Sequence, residues 1–151
     1  MSFLLDTNVI SEWTKPRPDS HVIEWLAESD EDRMFLSVAS LAEIRLGIER
    51  LPDGRRRQRL ALWLAEELSS RFEGRILPID RHIAEAWGIL IAGRSKAGVT
   101  LGPIDAFFAA TAVAHRLTLV TRNTRHFDSL GIPLLDPWQP PARLGTPYDP
   151  I

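Results

Sequence analysis

The chain contains no cysteine among its 151 residues. This absence excludes disulfides, thiolate metal sites and cysteine nucleophiles, and it fits a reducing cytoplasm. No apolar run approaches the roughly 18 residues that a membrane-spanning helix needs. Asp6 interrupts the first apolar run directly after Leu5, and no basic segment precedes that run. The N-terminus is therefore not typical of a secretory signal.

The chain also lacks an excess of charge of either sign. It has 18 basic and 20 acidic residues and a net charge of −2, so any site for a polyanion must be a local basic patch. A length of 151 residues with 44% hydrophobic residues predicts one domain with one core. Five of the eleven prolines lie in residues 136–151. We therefore expect a domain over residues 1–138 and a proline-rich tail over residues 139–151.

Short apolar runs alternate with segments of helical periodicity. We expect strands at residues 2–6, 34–37, 76–79 and 119–121, and a short edge strand at 133–135. Helices are expected at about residues 7–13, 20–27, 40–51, 55–72, 81–97 and 103–116. This alternation predicts an α/β fold whose mostly parallel sheet has four to five strands and is covered on both faces.

Three acidic residues lie near the boundaries of these strands. Asp6 directly follows the first strand, Glu43 lies a few residues after the second, and Asp105 opens the helix that leads into the fourth. Ligands of open α/β sheets bind at the carboxyl ends of the strands, where the three acids can converge. Crowded carboxylates raise each other's pKa unless a cation lies among them. Oxygen donors without His or Cys favour Mg²⁺ or Mn²⁺ over Zn²⁺.

Each acid also has a purely structural interpretation. Asp6 could cap a helix. Ser40 and Glu43 match the capping-box pattern, in which the glutamate binds a backbone N–H group. Asp105 lies in a first helical turn, where a carboxylate complements the helix dipole.

Four neighbouring polar residues leave similar alternatives open. Asn123 follows the fourth strand, and its amide oxygen could bind a metal, hold a water or cap the next turn. The hydroxyl groups of Thr7 and Thr121 could orient a carboxylate or a water, or could be ordinary strand-end groups. Asn8 could cap a helix, and it stands where aspartyl phosphatases carry a second aspartate.

Four segments of the chain resemble the four motifs of PIN-domain nucleases. They are residues 4–12 (LLDTNVISE), 36–47, 105–112 and 121–127. The resemblance spans about residues 3–138 and is closest to the VapC-type toxins, notably the FitB-like branch. It implies a PIN-like α/β/α sandwich.

The resemblance implies a metal-dependent endoribonuclease toxin. Asp6, Glu43 and Asp105 would bind Mg²⁺ or Mn²⁺ directly or through water, and Glu43 or Asp105 would position the attacking water. Asn123 stands where the family often has an aspartate, which removes one charge and leaves one metal or two as alternatives. Residues flanking the ligands would support them: Thr7, Asn8 and Thr121. The expected products are a 5′-phosphate and a 3′-hydroxyl.

RNA would need cations around these acids. The candidates nearest the motifs are Arg45, Arg94, Lys96, Arg122 and Arg125. The resemblance further implies a cytoplasmic homodimer, silenced by a cognate DNA-binding antitoxin. Two alternatives stay open, because a fold alone does not fix a function. One is a non-catalytic binding module, and the other is a metal-dependent phosphatase or DNA nuclease that uses the same acids.

Overall fold

The computed structural model describes residues 1–140. The expected proline-rich tail lies outside the described residues, apart from its first two positions. The domain boundary at residue 138 therefore stays a prediction.

Five parallel strands form the sheet in residues 1–140, in the order β3-β2-β1-β4-β5. They are β1 (Phe3–Leu5), β2 (Met34–Ser37), β3 (Ile76–Leu77), β4 (Thr118–Val120) and β5 (Leu134–Leu135). β1 is central, since Leu4 pairs with Phe35 of β2 and with Leu119 of β4. The prediction of a mostly parallel sheet of four to five strands is confirmed.

Helices connect the strands and cover both faces of the sheet. They are α1 (Thr7–Ser11), α2 (Ser20–Glu28), α3 (Val38–Glu49), α4 (Arg55–Leu62), α5 (Ser69–Arg71), α6 (Arg81–Lys96) and α7 (Pro103–His115). A π-helical segment, Trp63–Leu68, joins α4 to α5, so the expected helix at 55–72 is one continuous helical stretch. A 3₁₀ turn, Glu12–Thr14, extends α1. None of the helices in residues 1–140 has the length and apolar composition of a membrane span.

Alternate side chains of the central strands enter two separate cores. Leu5 packs with Leu36 and Val120 in the core beneath α2, α3 and α4. Leu4 packs with Leu119 and Phe108 in the core beneath α7. Successive residues of a strand point to opposite faces, so the near-continuous apolar runs of β1 and β4 are those of a doubly covered sheet.

The start of α3 differs from the prediction. Ser37 caps this helix, because its Oγ accepts a hydrogen bond from the backbone N–H of Ala39 at 3.0 Å. Ser40 and Glu43 therefore lie inside the helix, and the capping-box interpretation of this pair is wrong. Ser37, the last residue of β2, already supplies the cap, and this leaves Ser40 and Glu43 free for other contacts.

Candidate active site

The strand order reverses between β1 and β4, at the position where ligands bind in open α/β sheets. Asp6 follows β1 and Thr121 follows β4, so both side chains lie at this switch point. The backbone N–H of Asp6 donates to the Val120 carbonyl at 2.9 Å, which extends the strand pairing to the carboxylate itself. Thr121 Oγ1 donates to Asp6 Oδ2 at 2.7 Å, and both residues are buried.

Burial raises the pKa of Asp6 from 3.8 to about 6. The hydrogen bond from Thr121 lowers this pKa, whereas the negative charges of Asp105 and Glu43 raise it further. The two other acids are therefore within electrostatic reach of Asp6, as the sequence predicts. Above pH 6 the site carries a buried anion next to two further carboxyl groups.

Glu43 is held by a hydroxyl group from the start of α1. Thr7 Oγ1 donates to Glu43 Oε1 at 2.6 Å and lies 2.9 Å from Ser40 Oγ. Ser40 and Glu43 are one helical turn apart on α3, so both can face Thr7. This contact fixes Glu43 beside the end of β1.

Asp105 lies in the first turn of α7, which begins at Pro103 as predicted. Its Oδ2 lies 2.9 Å from Nδ1 of His126, which belongs to the 3₁₀ turn Thr124–His126 after β4. The carboxylate is therefore bound to the turn that carries Asn123. Its position in the first turn also complements the helix dipole, which is compatible with a role in the site.

The two asparagines take different environments. Asn8 spans β1 and β4, because its Nδ2 donates to Thr121 Oγ1 at 3.5 Å and its Oδ1 accepts from the Arg122 N–H group at 3.4 Å. Asn123 is exposed, and its backbone N–H donates to Thr121 Oγ1 at 3.0 Å. Neither Asp6 nor Asn123 makes a side-chain capping hydrogen bond to the helical turn that follows it. Capping therefore does not explain either residue.

The charges of the site suit a divalent cation. Within residues 1–140, neither Asp6 nor Glu43 forms an ion pair, and the side-chain groups that hold the acids are two hydroxyl groups and one imidazole. No group of three or more histidine, aspartate and glutamate side chains in this part of the chain is arranged so that it could hold a metal ion. The carboxylates are instead each turned towards a protein donor. Their joint binding of a metal stays a prediction.

The expected RNA-binding cations fall into two groups. Arg122 and Arg125 line a cavity of about 560 Å³ together with Asn123 and His126. The other three lie on α3 and α6. Arg45 pairs with Glu49 at 3.4 Å, whereas Arg94 and Lys96 occupy the last turn of α6. The Nε atom of Arg94 is buried and has no hydrogen-bond partner in the described part of the chain.

Two side chains of the site, Ser40 and His126, are not identified as site residues by the sequence. Arg56 belongs to the basic run at residues 55–59, a further candidate for RNA contacts for which the sequence favours a solvated helix start. It lines a cavity of about 290 Å³ with Thr7 and Glu43. His126 had a usable signal, since it lies three residues after Asn123 and hence on the same short turn.

Comparisons with known proteins agree with this geometry. The family model described as PIN domain matches residues 3–132. VapC ribonuclease Y4jK of Sinorhizobium fredii is 36% identical over 137 residues, which cover 91% of this chain and 98% of the relative. Toxin FitB of Neisseria gonorrhoeae is 36% identical over 135 residues, which cover 89% of this chain and 97% of FitB.

A solved structure of FitAB bound to an IR36 DNA fragment contains a similar fold. It superposes with a TM-score of 0.85 at 33% identity, and the match covers 91% of this chain and 96% of the other. The motifs, the sheet and these relatives agree: the chain belongs to the PIN-domain family and is a homologue of the FitB and VapC toxins.

Proposed function

We propose that this protein is a divalent-metal-dependent endoribonuclease and the toxin of a type II toxin–antitoxin pair. The observation that carries the proposal is the buried carboxylate of Asp6 at the end of the central strand, with Glu43 and Asp105 within electrostatic reach. A ribonuclease and a toxin among relatives that match along most of the chain support the reaction class and the biological role.

Asp6, Glu43 and Asp105 are the residues that would hold Mg²⁺ or Mn²⁺, directly or through water. Bound there, the cation supplies charge compensation for the phosphoryl oxygens and lowers the pKa of the attacking water. The chain's own hydroxyl groups orient the ligands, because Thr121 fixes Asp6 and Thr7 fixes Glu43. Glu43 or Asp105 would position the water for in-line attack on the phosphorus.

Asn123 gives the site one charge fewer than an aspartate would. Its amide lies beyond the end of β4, beside the turn that carries the histidine partner of Asp105. We propose that Asn123 orients a water or a phosphate oxygen, while the basic side chains of Arg122 and Arg125 attract the RNA backbone. These arginines line the cavity next to Asn123.

We further propose a cognate antitoxin partner that binds DNA, a homodimeric toxin and a cytoplasmic location. The FitAB complex bound to a DNA fragment supports the first of these, since a homologue of this chain is part of that assembly. Co-expression with a candidate antitoxin, a small DNA-binding protein, tests the partner. We expect the two chains to co-purify and the complex to shift promoter DNA.

The reaction is tested with purified protein, unstructured RNA and EDTA or Mg²⁺. We expect cleavage in Mg²⁺ and none in EDTA. Asp6→Asn, Glu43→Gln and Asp105→Asn should each reduce the rate more than about 100-fold, because loss of even an outer partner of a metal ligand typically costs 10- to 100-fold. The matched control is Asp53→Asn, since Asp53 is an exposed carboxylate that pairs with Arg57.

Three outcomes would contradict the proposal. Equal rates for Asp6→Asn and the parent protein would remove the catalytic role of the acid. Cleavage of DNA but not of RNA of the same sequence, or hydrolysis of a phosphomonoester alone, would favour the alternative enzymes. Absence of cleavage by the folded parent protein on every substrate would favour a binding module.

A further inference from the structure

A polar cavity of about 560 Å³ lies beyond the carboxyl ends of β4 and β5. Two segments line it, namely residues 122–126 and, after β5, Asp136, Trp138 and Gln139. Asn123 and His126 belong to the first segment, and His126 contacts Asp105. The cavity therefore adjoins the candidate active site.

The charged groups of the lining favour an anionic ligand. Arg122 and Arg125 are exposed, and neither pairs with an acid in residues 1–140. Asp136 also lines the cavity, but its Oδ1 accepts the backbone N–H of Trp138 at 2.9 Å. With two arginines and one aspartate, the lining carries a net positive charge, although the chain as a whole is slightly acidic.

The second segment adds an aromatic surface. Trp138 is half-buried, packs against the core and also lines the cavity. The guanidinium of Arg122 lies over the indole, 5.4 Å from the ring centroid. A tight turn at Asp136 holds the backbone that carries this ring, because the Gln139 N–H also donates to the Asp136 carbonyl at 3.2 Å.

We propose that this cavity is a nucleotide subsite, in which an unpaired RNA base packs against Trp138 and Arg122 while Arg125 contacts a neighbouring phosphate. This inference rests on the proposed RNA cleavage, and the subsite would determine which RNA the active site accepts. Aromatic rings and guanidinium planes are the surfaces on which proteins stack unpaired bases. A base inside a duplex has no free face, so the subsite favours single-stranded or looped RNA.

Binding is measured in the Asp6→Asn background, which prevents cleavage during titration. The probes are a labelled single-stranded RNA of about eight nucleotides and an abasic oligomer with the same number of phosphates. Trp138→Leu should weaken binding of the RNA by about 5- to 150-fold, the range of one lost base stack, and should leave the abasic oligomer unaffected. Trp138→Phe should retain most of the affinity for the RNA. Such a result would show that the fold tolerates a substitution at residue 138.

Two control variants complete the experiment. Trp13 also lies under an arginine, with Arg71 4.1 Å from its ring centroid, but it does not line this cavity. Trp13→Leu should therefore bind both probes as the background protein does. Arg125→Gln should weaken binding of both probes. It should also reduce the slope of log K against log salt concentration by about 0.7, the contribution of one phosphate contact in single strands.

The outcomes separate the subsite from the proposed function. Unchanged RNA affinity in Trp138→Leu, or equal losses for the RNA and the abasic probe, would overturn the subsite. With Asp6 restored, Trp138→Leu should raise KM and leave kcat nearly unchanged. If the parent protein cleaves RNA while Trp138→Leu has the same KM, the subsite fails and the ribonuclease stands. Absence of both cleavage and binding by the parent protein would overturn both proposals.

Discussion

Asp6 and Glu49 are both carboxylates, and their surroundings move their pKa values in opposite directions. Burial and two neighbouring acids raise the pKa of Asp6 to about 6. Glu49 is exposed on α3, and its pKa is lowered, first by the hydrogen bond from Arg57 and then by the positive charge of the same residue. Arg57 Nη2 lies 2.6 Å from Glu49 Oε2 and also pairs with Asp53.

These opposite pKa shifts distinguish a candidate ligand site from an ordinary charged surface. The acids near Glu49 have cations from the chain itself, so they need no ligand. Asp6 has a hydroxyl partner and two like-charged neighbours, so its ionised form is destabilised in the folded state. Such an arrangement favours a bound cation, whereas the surface network is already neutralised.

The largest expected effect is a gain of stability in Asp6→Asn. The pKa of Asp6 in the folded state lies above its ordinary value, so ionisation of Asp6 destabilises the folded state. This destabilisation is complete above pH 6 and absent below pH 3.8. A shift of about 2 units corresponds to about 3 kcal/mol. We expect Asp6→Asn to gain up to about 3 kcal/mol in urea unfolding at pH 7.5 in EDTA.

The pH dependence is the control for this effect. The gain should shrink as the pH falls through 6, because the native carboxyl group then takes up a proton. An equal gain at pH 4 and pH 7.5 would show that the substitution acts through packing rather than through charge.

The next effect concerns the hydroxyl group that supports Asp6. Thr121→Val removes the donor at 2.7 Å and leaves the buried carboxylate with one partner fewer. We expect a loss of about 1–3 kcal/mol at pH 7.5. The matched control is Thr111→Val, a buried threonine that donates to the Phe107 carbonyl within α7. Its loss should not change with pH, and equal pH profiles in both variants would contradict the assignment.

A smaller effect is expected from Mg²⁺ or Mn²⁺. Ten times above its Kd, a cation that binds only the native state stabilises it by about 1.4 kcal/mol, which corresponds to a few degrees in Tm. Thermal melting should show this shift in the parent protein and in Glu49→Gln. The same shift in Asp6→Asn would place the cation elsewhere on the molecule.

The smallest effect is expected at the surface network. Glu49→Gln removes a pair with Arg57 that is exposed to solvent and to salt. The pair stabilises the fold above the ordinary pKa of 4.5 and loses this contribution as the pH falls through the lowered folded pKa. We expect a barely measurable decrease of Tm at low ionic strength and none in 1 M salt. A large decrease of Tm would contradict this expectation and would show that the exposed pair contributes strongly to stability.

Most of the fold can be predicted from the sequence because the patterns that indicate strands and helices are local. Apolar runs that end at polar residues located the strands, and Pro103 located the start of α7. The sequence alone does not determine the start of α3, since both Ser37 and Ser40 fit a cap and the backbone geometry decides between them. The arrangement of helices over the two faces follows from the alternation of Leu4 and Leu5.

The candidate site can be predicted from the sequence only in part. The position of Asp6 after β1, and its nearness to the charges of Glu43 and Asp105, were predictable from the order of strands and helices. The sequence indicates that Thr7 and Thr121 could orient a carboxylate, but it does not indicate which acid each one holds. Thr7 and Glu43 are 36 residues apart, and Asp6 and Thr121 are 115 apart.

By itself, the sequence determined a doubly covered parallel sheet and the residue types at its carboxyl edge, because hydrophobic periodicity and turn residues act over a few positions. The tertiary structure alone decided which donor holds each acid, how deeply Asp6 is buried and how Arg122 and Trp138 meet beside Asn123. Those contacts join segments that are distant in the chain, and their energies depend on distance and burial, which only the packed fold defines.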